Sequence, residues 1–243
     1  MSDRSPPAGP PPAAAWTALT QAQEPAAARA PLTQILLQPD PGPGLRALEA
    51  QRALARWLPE VAALRGVSQL PDHRMDALDH SFQACAAAPL TVLSRWTALL
   101  HDCGKATTLV QTPDGRTRFF GHEEVGAAQA APLLARLGFP PAFGAAVAGL
   151  IRLHLRPLAY RPDWTDGAVG RLRADAGPLW PALLAQARAD LLGYAPEPVD
   201  RALANLQALA VRAERIAHPP PAPPGSPLDG HELQALFQRP PGP

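Results

Sequence analysis

Cysteine, lysine and aromatic residues are all scarce in this 243-residue sequence. The two cysteines, Cys85 and Cys103, are too few for a disulfide framework and suit a reducing compartment, so we expect a cytoplasmic protein. Aromatic side chains make up 5% of the residues and β-branched residues are few, which disfavours a β-rich core. The sequence contains no apolar run of the roughly 18–20 residues that a membrane span needs, and its first residues do not resemble a signal peptide. We therefore expect no membrane partner.

Charge of either sign is also not in excess. The 22 basic and 21 acidic residues give a net charge of +1, so the sequence lacks the overall basic field that dominates non-specific binding to nucleic acid. We expect no binding to duplex DNA, and a local basic patch would be needed to hold any other nucleic acid. The sequence leaves the oligomeric state open.

Alanine and leucine supply most of the hydrophobic residues, and this composition favours helix over strand. Apolar residues at helical spacing predict helices over residues 45–58, 76–87, 90–103, 123–137, 141–153, 179–192 and 199–217. Gly104 is predicted to follow a helix end. The pattern breaks over residues 107–121, where Pro113-Asp114-Gly115 predicts a turn within a short ribbon or an open loop. The sequence therefore predicts an all-α protein.

The same reading divides the chain into four parts. Residues 1–28 are rich in proline and alanine and are predicted to be disordered, whereas residues 29–217 are predicted to form the helical domain. Residues 218–227 form a proline-rich linker. Residues 228–243 form a short tail, in which 229–237 could be a brief amphipathic helix.

The single lysine of the chain ends the stretch His101-Asp102-Cys103-Gly104-Lys105, whereas the other 21 basic residues are arginines. A position that keeps lysine in such a chain indicates a need for a compact ammonium group. The adjacent histidine and aspartate are metal-ligand types. A cation-binding pair followed by one lysine suggests a metal-dependent reaction on phosphate esters.

Further histidines lie at positions that could complete a metal site with this pair. Histidine and carboxylate donors together suit iron, manganese, nickel or zinc, and the lack of cysteines excludes a thiolate-rich site. On one helix, His101 and Asp102 would be about 100° apart, so both could bind one ion while the carboxylate bridged to another. The candidate ligands are His80, His101, Asp102, His122, His154 and Asp190.

Several of these residues, and some of their neighbours, also have a simpler interpretation. His122 could favour a helix start, and His154 could be a surface residue near a helix end. Asp76 could orient His80 or compensate charge at a helix start, and His73 is more typical of a solvated loop. Three arginines downstream could contact phosphate or only solvent: Arg152, Arg156 and Arg161.

The ordered set His80, His101-Asp102 and Asp190 resembles the pattern of the HD-domain phosphohydrolase superfamily. Residues 58–67, 78–80, 99–105, 121–124 and 227–233 are similar to the HD-bearing carboxy-terminal part of bacterial tRNA nucleotidyltransferases. The resemblance covers about residues 30–243. Because the glycine-serine and paired-aspartate motifs of a nucleotidyltransferase domain are missing upstream, nucleotide addition to tRNA is not expected.

This resemblance implies a single HD-domain helical bundle with one or two bound divalent ions, of Mn, Fe, Ni, Co, Mg or Zn. His80, His101, Asp102 and Asp190 would bind the first ion. A second ion would be held by His122 and His154, with Asp102 as the bridge. Asp102 and Lys105 would be catalytic, with Lys105 holding a phosphate oxygen. Lys105, Arg152 and Arg156 would bind the substrate.

The resemblance further implies a phosphodiesterase or phosphatase that acts on nucleotides or RNA ends by attack of a metal-activated water. Similarity to the tRNA nucleotidyltransferase branch favours 2′,3′-cyclic phosphates and 2′-phosphates as substrates. A non-catalytic tRNA- or RNA-binding module, or a nucleotide sensor, is the alternative. The intact metal-ligand positions favour the enzyme, and the balanced charge disfavours an RNA-binding module.

Overall fold

Helices make up nearly all of the regular structure in the computed structural model, which describes residues 13–68, 75–113, 116–193, 199–219 and Phe237. The elements in chain order are α1 Ala13–Gln21, α2 Pro25–Leu36, α3 Gly42–Ala50, α4 Ala53–Trp57, α5 Pro59–Ala62, α6 Ala77–Ala87, α7 Val92–Leu100, α8 Lys105–Thr108, β1 Leu109–Gln111, β2 Thr117–Phe119, α9 His122–Arg136, α10 Pro141–Leu153, α11 Leu155–Leu158, α12 Asp166–Ala176, α13 Trp180–Leu192 and α14 Val199–Ala217. The prediction of an all-α fold is confirmed.

The amino-terminal part of the helical region begins further upstream than predicted. Disorder is expected for residues 1–28, yet residues 13–21 form α1 and residues 25–28 form the first turn of α2. Leu19 and Ala28 are buried in the core, and Pro25 occupies the first position of α2, where a proline removes no helical hydrogen bond. Burial of this alanine-rich segment explains why that part of the prediction is wrong.

Other predicted segments differ from the structure at their ends. The helix expected over residues 45–58 is divided into α3 and α4 at Arg52, whose φ of 59° is left-handed. Helix α7 ends at Leu100, so His101 and Asp102 lie in the turn after it and not on the helix. Helix α12 was not predicted. Beyond Pro219, the linker and tail predictions lie outside the described residues, apart from an exposed Phe237.

Of the two alternatives predicted for residues 107–121, a short ribbon or an open loop, the structure has the ribbon. Strands β1 and β2 pair antiparallel, with Leu109 opposite Phe119 and Val110 opposite Arg118. Pro113 lies in the connecting turn, whereas residues 114 and 115 are not among the described residues. The ribbon leads directly through Gly121 into α9, so its position is coupled to that of His122.

Buried apolar side chains form two clusters that meet beside α13. The first is built mainly on α1–α7, α9 and α10 and includes Leu99 and Leu133, and the second is built mainly on α12–α14, with Leu150 of α10, and includes Leu183 and Leu209. Helix α13 packs against α6, α7 and α14 and therefore joins the two clusters. No helix in the described part of the chain combines the length and the apolar character needed to cross a membrane.

Candidate metal centre

Side chains from five separate parts of the helical domain meet in one buried cluster. One comes from the middle of α6, two from the turn after α7, one from the first position of α9, one from the junction of α10 and α11, and one from the last turns of α13. Each is at most 6% exposed. The structure thus brings together all six residues that the sequence suggests as ligands, namely His80, His101, Asp102, His122, His154 and Asp190.

The first half of the cluster joins α6, α7 and α13. His80 Nε2 lies 3.2 Å from His101 Nε2 and 2.9 Å from Asp190 Oδ1, and His101 Nε2 lies 3.5 Å from the same carboxylate oxygen. One donor atom from each of these three buried residues lies within 4.8 Å of the others, which is close enough to share an ion.

The Asp102 carboxylate lies between this half and the second one. Its Oδ2 is 3.6 Å from His80 Nε2 and 3.3 Å from His101 Nε2. Its Oδ1 is 3.4 Å from His122 Nε2 and 3.9 Å from His154 Nε2. The two oxygens of one carboxylate therefore face two different pairs of histidines, as a bridging ligand requires.

Three of the four histidines are held in the same way. Each ring donates a hydrogen bond from Nδ1 to the backbone carbonyl three residues earlier. Since a carbonyl can only accept, Nδ1 carries the hydrogen and the Nε2 lone pair of the neutral ring is directed into the cluster. The pairs are His101 with Ala98 at 2.8 Å, His122 with Phe119 at 2.8 Å and His154 with Ile151 at 2.6 Å.

Unsatisfied polar atoms indicate what this cluster can hold. The Nε2 atoms of His122 and His154 are buried and make no hydrogen bond among the described residues. Leaving a polar atom in that condition costs about 1–3 kcal/mol, and a cation accepted by the lone pair would offset this cost. Two carboxylates with neutral imidazoles form a mixed nitrogen and oxygen donor set. The residues present therefore fit a divalent cation.

The charges in the cluster are set by mutual contacts. Burial raises the pKa of Asp102, but the neighbouring His101 and Lys105 outweigh it and hold that pKa well below its ordinary value. Asp190 has a lowered pKa in the same way, because the effect of His101 outweighs that of burial. Burial lowers the pKa of His154 to about 4. At neutral pH both carboxylates are ionised and His154 is neutral, which are the forms that bind cations.

His101 differs from His154 because both aspartates act on it. Burial lowers its pKa, but the charges of Asp102 and Asp190 outweigh that effect, and the pKa lies above its ordinary value. In the absence of a cation, His101 therefore retains a proton more readily than an ordinary histidine. Binding of a cation would displace that proton.

Lys105, the first residue of α8, closes one side of the cluster. Its Nζ donates to Asp102 Oδ2 at 2.7 Å and lies 5.5 Å from the centre of the Phe119 ring. The side chain is largely buried. The structure thus gives Lys105 a partner at the centre, and its expected contact with a substrate phosphate stays a prediction.

The two arginines expected to bind substrate are not drawn into the cluster. Arg152 pairs with Glu124 at 2.7 Å, and Arg156 pairs with Asp175 at 2.5 Å. Both guanidinium side chains are nearly half exposed in these surface pairs. Their role in substrate binding remains a prediction.

Two glycines permit the close packing of the centre. A Cβ at Gly104 would lie 2.2 Å from the carbonyl oxygen of His122 and 2.6 Å from the amide nitrogen of Gly126. Gly104 has an ordinary right-handed conformation, with φ of −66°, so close approach and not a helix end explains it. A Cβ at Gly193 would lie 2.8 Å from His80 Cε1. No sequence pattern pointed to Gly193, since its role depends on packing between α13 and α6.

Two residues with an open interpretation, Asp76 and His73, are placed outside the cluster or outside the described residues. Asp76 caps α6 by accepting a hydrogen bond from the amide of Asp79 at 2.9 Å, which supports the helix-start interpretation. Arg65 also pairs with Asp76. His73 lies outside the residues that the structure describes.

Comparison with known proteins agrees with this geometry. Residues 89–192 match the family model of the HD domain. The chain contains an HD domain. The matched range includes five of the six cluster residues, and His80 lies upstream of it.

Similar proteins come from several bacteria. An A-adding tRNA nucleotidyltransferase of Deinococcus radiodurans is 33% identical over 221 residues, which are 87% of this chain and 50% of that protein. A CC-adding tRNA nucleotidyltransferase of Thermus thermophilus is 41% identical over 132 residues, 51% of this chain and 30% of that protein. A multifunctional CCA protein of Halorhodospira halophila is 37% identical over 139 residues, 54% of this chain and 33% of that protein. The HD-containing chain thus spans half or less of the length of these relatives.

Proposed function

We propose that this HD domain is a metal-dependent phosphohydrolase that acts on phosphate esters at nucleotides or RNA ends. The observation that carries the proposal is the buried Asp102 carboxylate, whose two oxygens face two pairs of histidine Nε2 atoms. A structural role alone would not require four imidazole Nε2 atoms to face two ionised carboxylates in the protein interior, because burying so many polar and charged groups is costly without a cation.

The residues divide into two sets of ligands. His80, His101 and Asp190, with Asp102 Oδ2, would hold one divalent ion, and His122 and His154, with Asp102 Oδ1, would hold a second. When bound, such ions lower the pKa of a water molecule and offset charge on a phosphoryl group. The donor types allow Mn, Fe, Ni, Co, Mg or Zn.

The residues of the chain have separate roles in this proposal. Backbone carbonyls fix the orientation of the His101, His122 and His154 rings, so the ligands are arranged before substrate binds. Lys105 places a positive charge beside Asp102, where an ammonium hydrogen could also be donated to a phosphate oxygen. Asp102 positions Lys105 in return.

The names of the relatives favour substrates at RNA ends. The similar proteins are named as tRNA nucleotidyltransferases and as multifunctional CCA proteins. Within the proposed chemistry, this supports 2′,3′-cyclic phosphates and 2′-phosphates over other phosphate esters. The same names also favour a second candidate, a non-catalytic domain that binds tRNA or senses a nucleotide.

An assay with purified protein distinguishes the two candidates. Metal-free protein is supplied with Mn²⁺, Co²⁺ or Ni²⁺ and tested on bis-p-nitrophenyl phosphate and on nucleoside 2′,3′-cyclic phosphates. Hydrolysis should be lost in His101→Ala and Asp102→Ala and retained in His218→Ala, which removes an exposed histidine of the same chain.

Circular dichroism should show that these variants remain folded. Absence of turnover with every metal and every substrate would refute the hydrolase, and tRNA binding by the same preparation would then favour the second candidate.

A further inference from the structure

Phe119 contacts the metal centre through two different groups. Its backbone carbonyl accepts a hydrogen bond from His122 Nδ1 at 2.8 Å. Its ring lies 5.5 Å from Lys105 Nζ, and the ring centre lies 6.5 Å from that of the His122 imidazole, with the two planes at 77°. Any residue at this position could supply the carbonyl. The contact with the Lys105 ammonium, in contrast, requires an aromatic ring.

The short ribbon places this ring beside Lys105. Helix α8 begins at Lys105 and is followed directly by β1, in which Leu109 pairs with Phe119. Exposure along β2 alternates, because Thr117 and Phe119 are partly buried and Arg118 between them is exposed. Successive side chains of a strand point to opposite faces, so the Phe119 ring lies on the face turned toward the protein. Strand pairing and packing against the first hydrophobic cluster hold it there.

Lys105 carries its positive charge in a position that water hardly reaches. The residue is 7% exposed, and Nζ donates to Asp102 Oδ2 at 2.7 Å. Its four-carbon side chain is flexible and does not fix the ammonium by itself. An aromatic face within about 6 Å attracts a cation, and the attraction is stronger where the cation is desolvated. The Asp102 carboxylate and the Phe119 ring therefore act on the same ammonium.

The ring and the carboxylate differ in what else they contact. Asp102 Oδ2 also lies 3.6 Å from His80 Nε2 and 3.3 Å from His101 Nε2, within the first proposed set of ligands. When that site is filled, the negative charge of Asp102 is shared and its attraction for the ammonium falls. The attraction of the Phe119 ring does not depend on this carboxylate. The ring is thus the contact that would still hold Lys105 in the metal-bound protein.

We infer that Phe119 is a positioning residue for Lys105. Its ring holds the ammonium at the edge of the centre, where an ammonium hydrogen can be donated to a phosphate oxygen. The inference rests on the proposed function for the role of Lys105 in hydrolysis. It adds that the side chain of Phe119, and not only its carbonyl, belongs to the centre. Loss of the ring should affect Lys105 and leave the metal ligands in place.

A double-mutant cycle tests this contact without turnover. Wild type, Phe119→Leu, Lys105→Ala and the double variant are unfolded by urea with EDTA present. Leucine keeps the backbone carbonyl and an apolar side chain but removes the ring. Phe119→Leu should lower the folding equilibrium constant about fivefold more in the wild type than in Lys105→Ala, where no ammonium is left to contact. If Phe119→Leu does not fold, Phe119→Met takes its place in the same cycle. Additive effects of the two substitutions would overturn the inference even if hydrolysis is observed.

Hydrolysis of bis-p-nitrophenyl phosphate and the number of bound Mn²⁺ ions measure the consequence. Phe119→Leu should lower kcat about tenfold with little change in KM, and it should have no further effect in Lys105→Ala. Phe119→Tyr keeps an aromatic face and should retain the wild-type kcat. Both variants should bind as many ions as the wild type, because the carbonyl that orients His122 remains.

Phe120→Leu is the matched control, since it makes the same substitution at the next residue, whose side chain is exposed. It should leave kcat and bound Mn²⁺ unchanged. Loss of Mn²⁺ in Phe119→Leu, or an equal fall of kcat in Phe119→Tyr or Phe120→Leu, would overturn the positioning role. Coupling in the unfolding cycle without hydrolysis by the wild type would refute the proposed function and support the contact between Phe119 and Lys105.

Discussion

Asp102 contacts more members of the centre than its neighbours do. It accepts from Lys105, faces His80 and His101 with one oxygen, and faces His122 and His154 with the other. Its low pKa follows from the positive charges of His101 and Lys105, which outweigh burial. A buried carboxylate in this position is kept ionised by its partners, and removal of any partner changes the charge balance at the centre.

Lys105 can be separated from the ligands by mutation. Lys105→Ala should lower kcat on the order of 10²-fold, because an ammonium group would no longer stabilise developing phosphate charge. Bound metal should stay near the wild-type amount, since Lys105 is not a ligand. Steady-state kinetics and metal analysis of the same preparation measure both quantities. Lys105→Arg keeps the positive charge but replaces the compact ammonium with a planar guanidinium. Its kcat should lie between those of the wild type and Lys105→Ala. Equal losses of metal and activity in Lys105→Ala would contradict this role.

His154 makes the metal-free protein sensitive to acid. Its pKa is lowered to about 4 by burial, whereas the ring of an unfolded chain takes up a proton near pH 6.5. The unfolded state therefore binds more protons as the pH falls through this window, and the folded state loses stability.

The change can be measured against a variant without this ring. Between about pH 7.5 and about pH 5, the free energy of unfolding of the wild type should fall by about 2 kcal/mol relative to His154→Gln. Urea unfolding with a chelator present gives both values at each pH. Parallel pH dependences of the two proteins would show that His154 is not held neutral.

At the scale of residues, the sequence could predict which side chains are able to donate to a metal. It could not predict which surface side chains form ion pairs with one another. Histidine and aspartate can bind metal wherever they occur, so the sequence alone identified His101 and Asp102 as candidate metal ligands. The pairing of Arg152 with Glu124 and of Arg156 with Asp175 depends on which helix faces meet. That information is not contained in the spacing of single residues.

At the scale of elements, the centre depends on helix ends that approach closely. The turn after α7 packs against the first turns of α9 without an intervening side chain, because both contact positions, Gly104 and Gly126, are glycines. This contact places Asp102 beside His122. The ribbon β1–β2 reinforces it, since the carbonyl of Phe119 orients the His122 ring.

Gly104→Ala tests this contact. The added Cβ would meet the His122 carbonyl oxygen at 2.2 Å, so α9 must shift, and we expect a loss of about 1–3 kcal/mol in the free energy of unfolding. Urea unfolding measures it. Gly170→Ala is the control, because its Cβ would meet only Ile216 Cγ2 at an ordinary 3.8 Å. Similar stabilities of the wild type and Gly104→Ala would mean that the two elements are not in tight contact.

Elements with a regular apolar period could be predicted, and those without one could not. Helices α9, α10 and α13 agree with the predictions within a residue or two because each buries a continuous apolar stripe. Helix α12 buries only Val169, Leu172 and Ala176 among polar and glycine residues, which weakens its period. The left-handed Arg52 between α3 and α4 has no glycine or asparagine to mark it.

At the scale of the whole molecule, packing brings distant positions together. His80 and Asp190 are 110 residues apart in the chain, yet their side chains are 2.9 Å apart, because α6 packs against α13. Their spacing along the sequence does not show that they belong to one site, which only their residue types and the family resemblance suggested. The two hydrophobic clusters supply the scaffold that holds them at this distance.

The central claim is that these separated side chains bind divalent ions together, and metal binding in solution tests it most directly. Metal-free wild type, His101→Ala, His122→Ala and the exposed control His218→Ala are dialysed against Mn²⁺, and bound ions per chain are counted. We expect two bound ions per chain in the wild type and in His218→Ala, and one in His122→Ala. His101→Ala should bind fewer ions than the wild type. One bound ion per chain in the wild type would reject the bridging role of Asp102 but not the metal centre itself. No bound ion in the wild type, or the same number in all four proteins, would contradict the account.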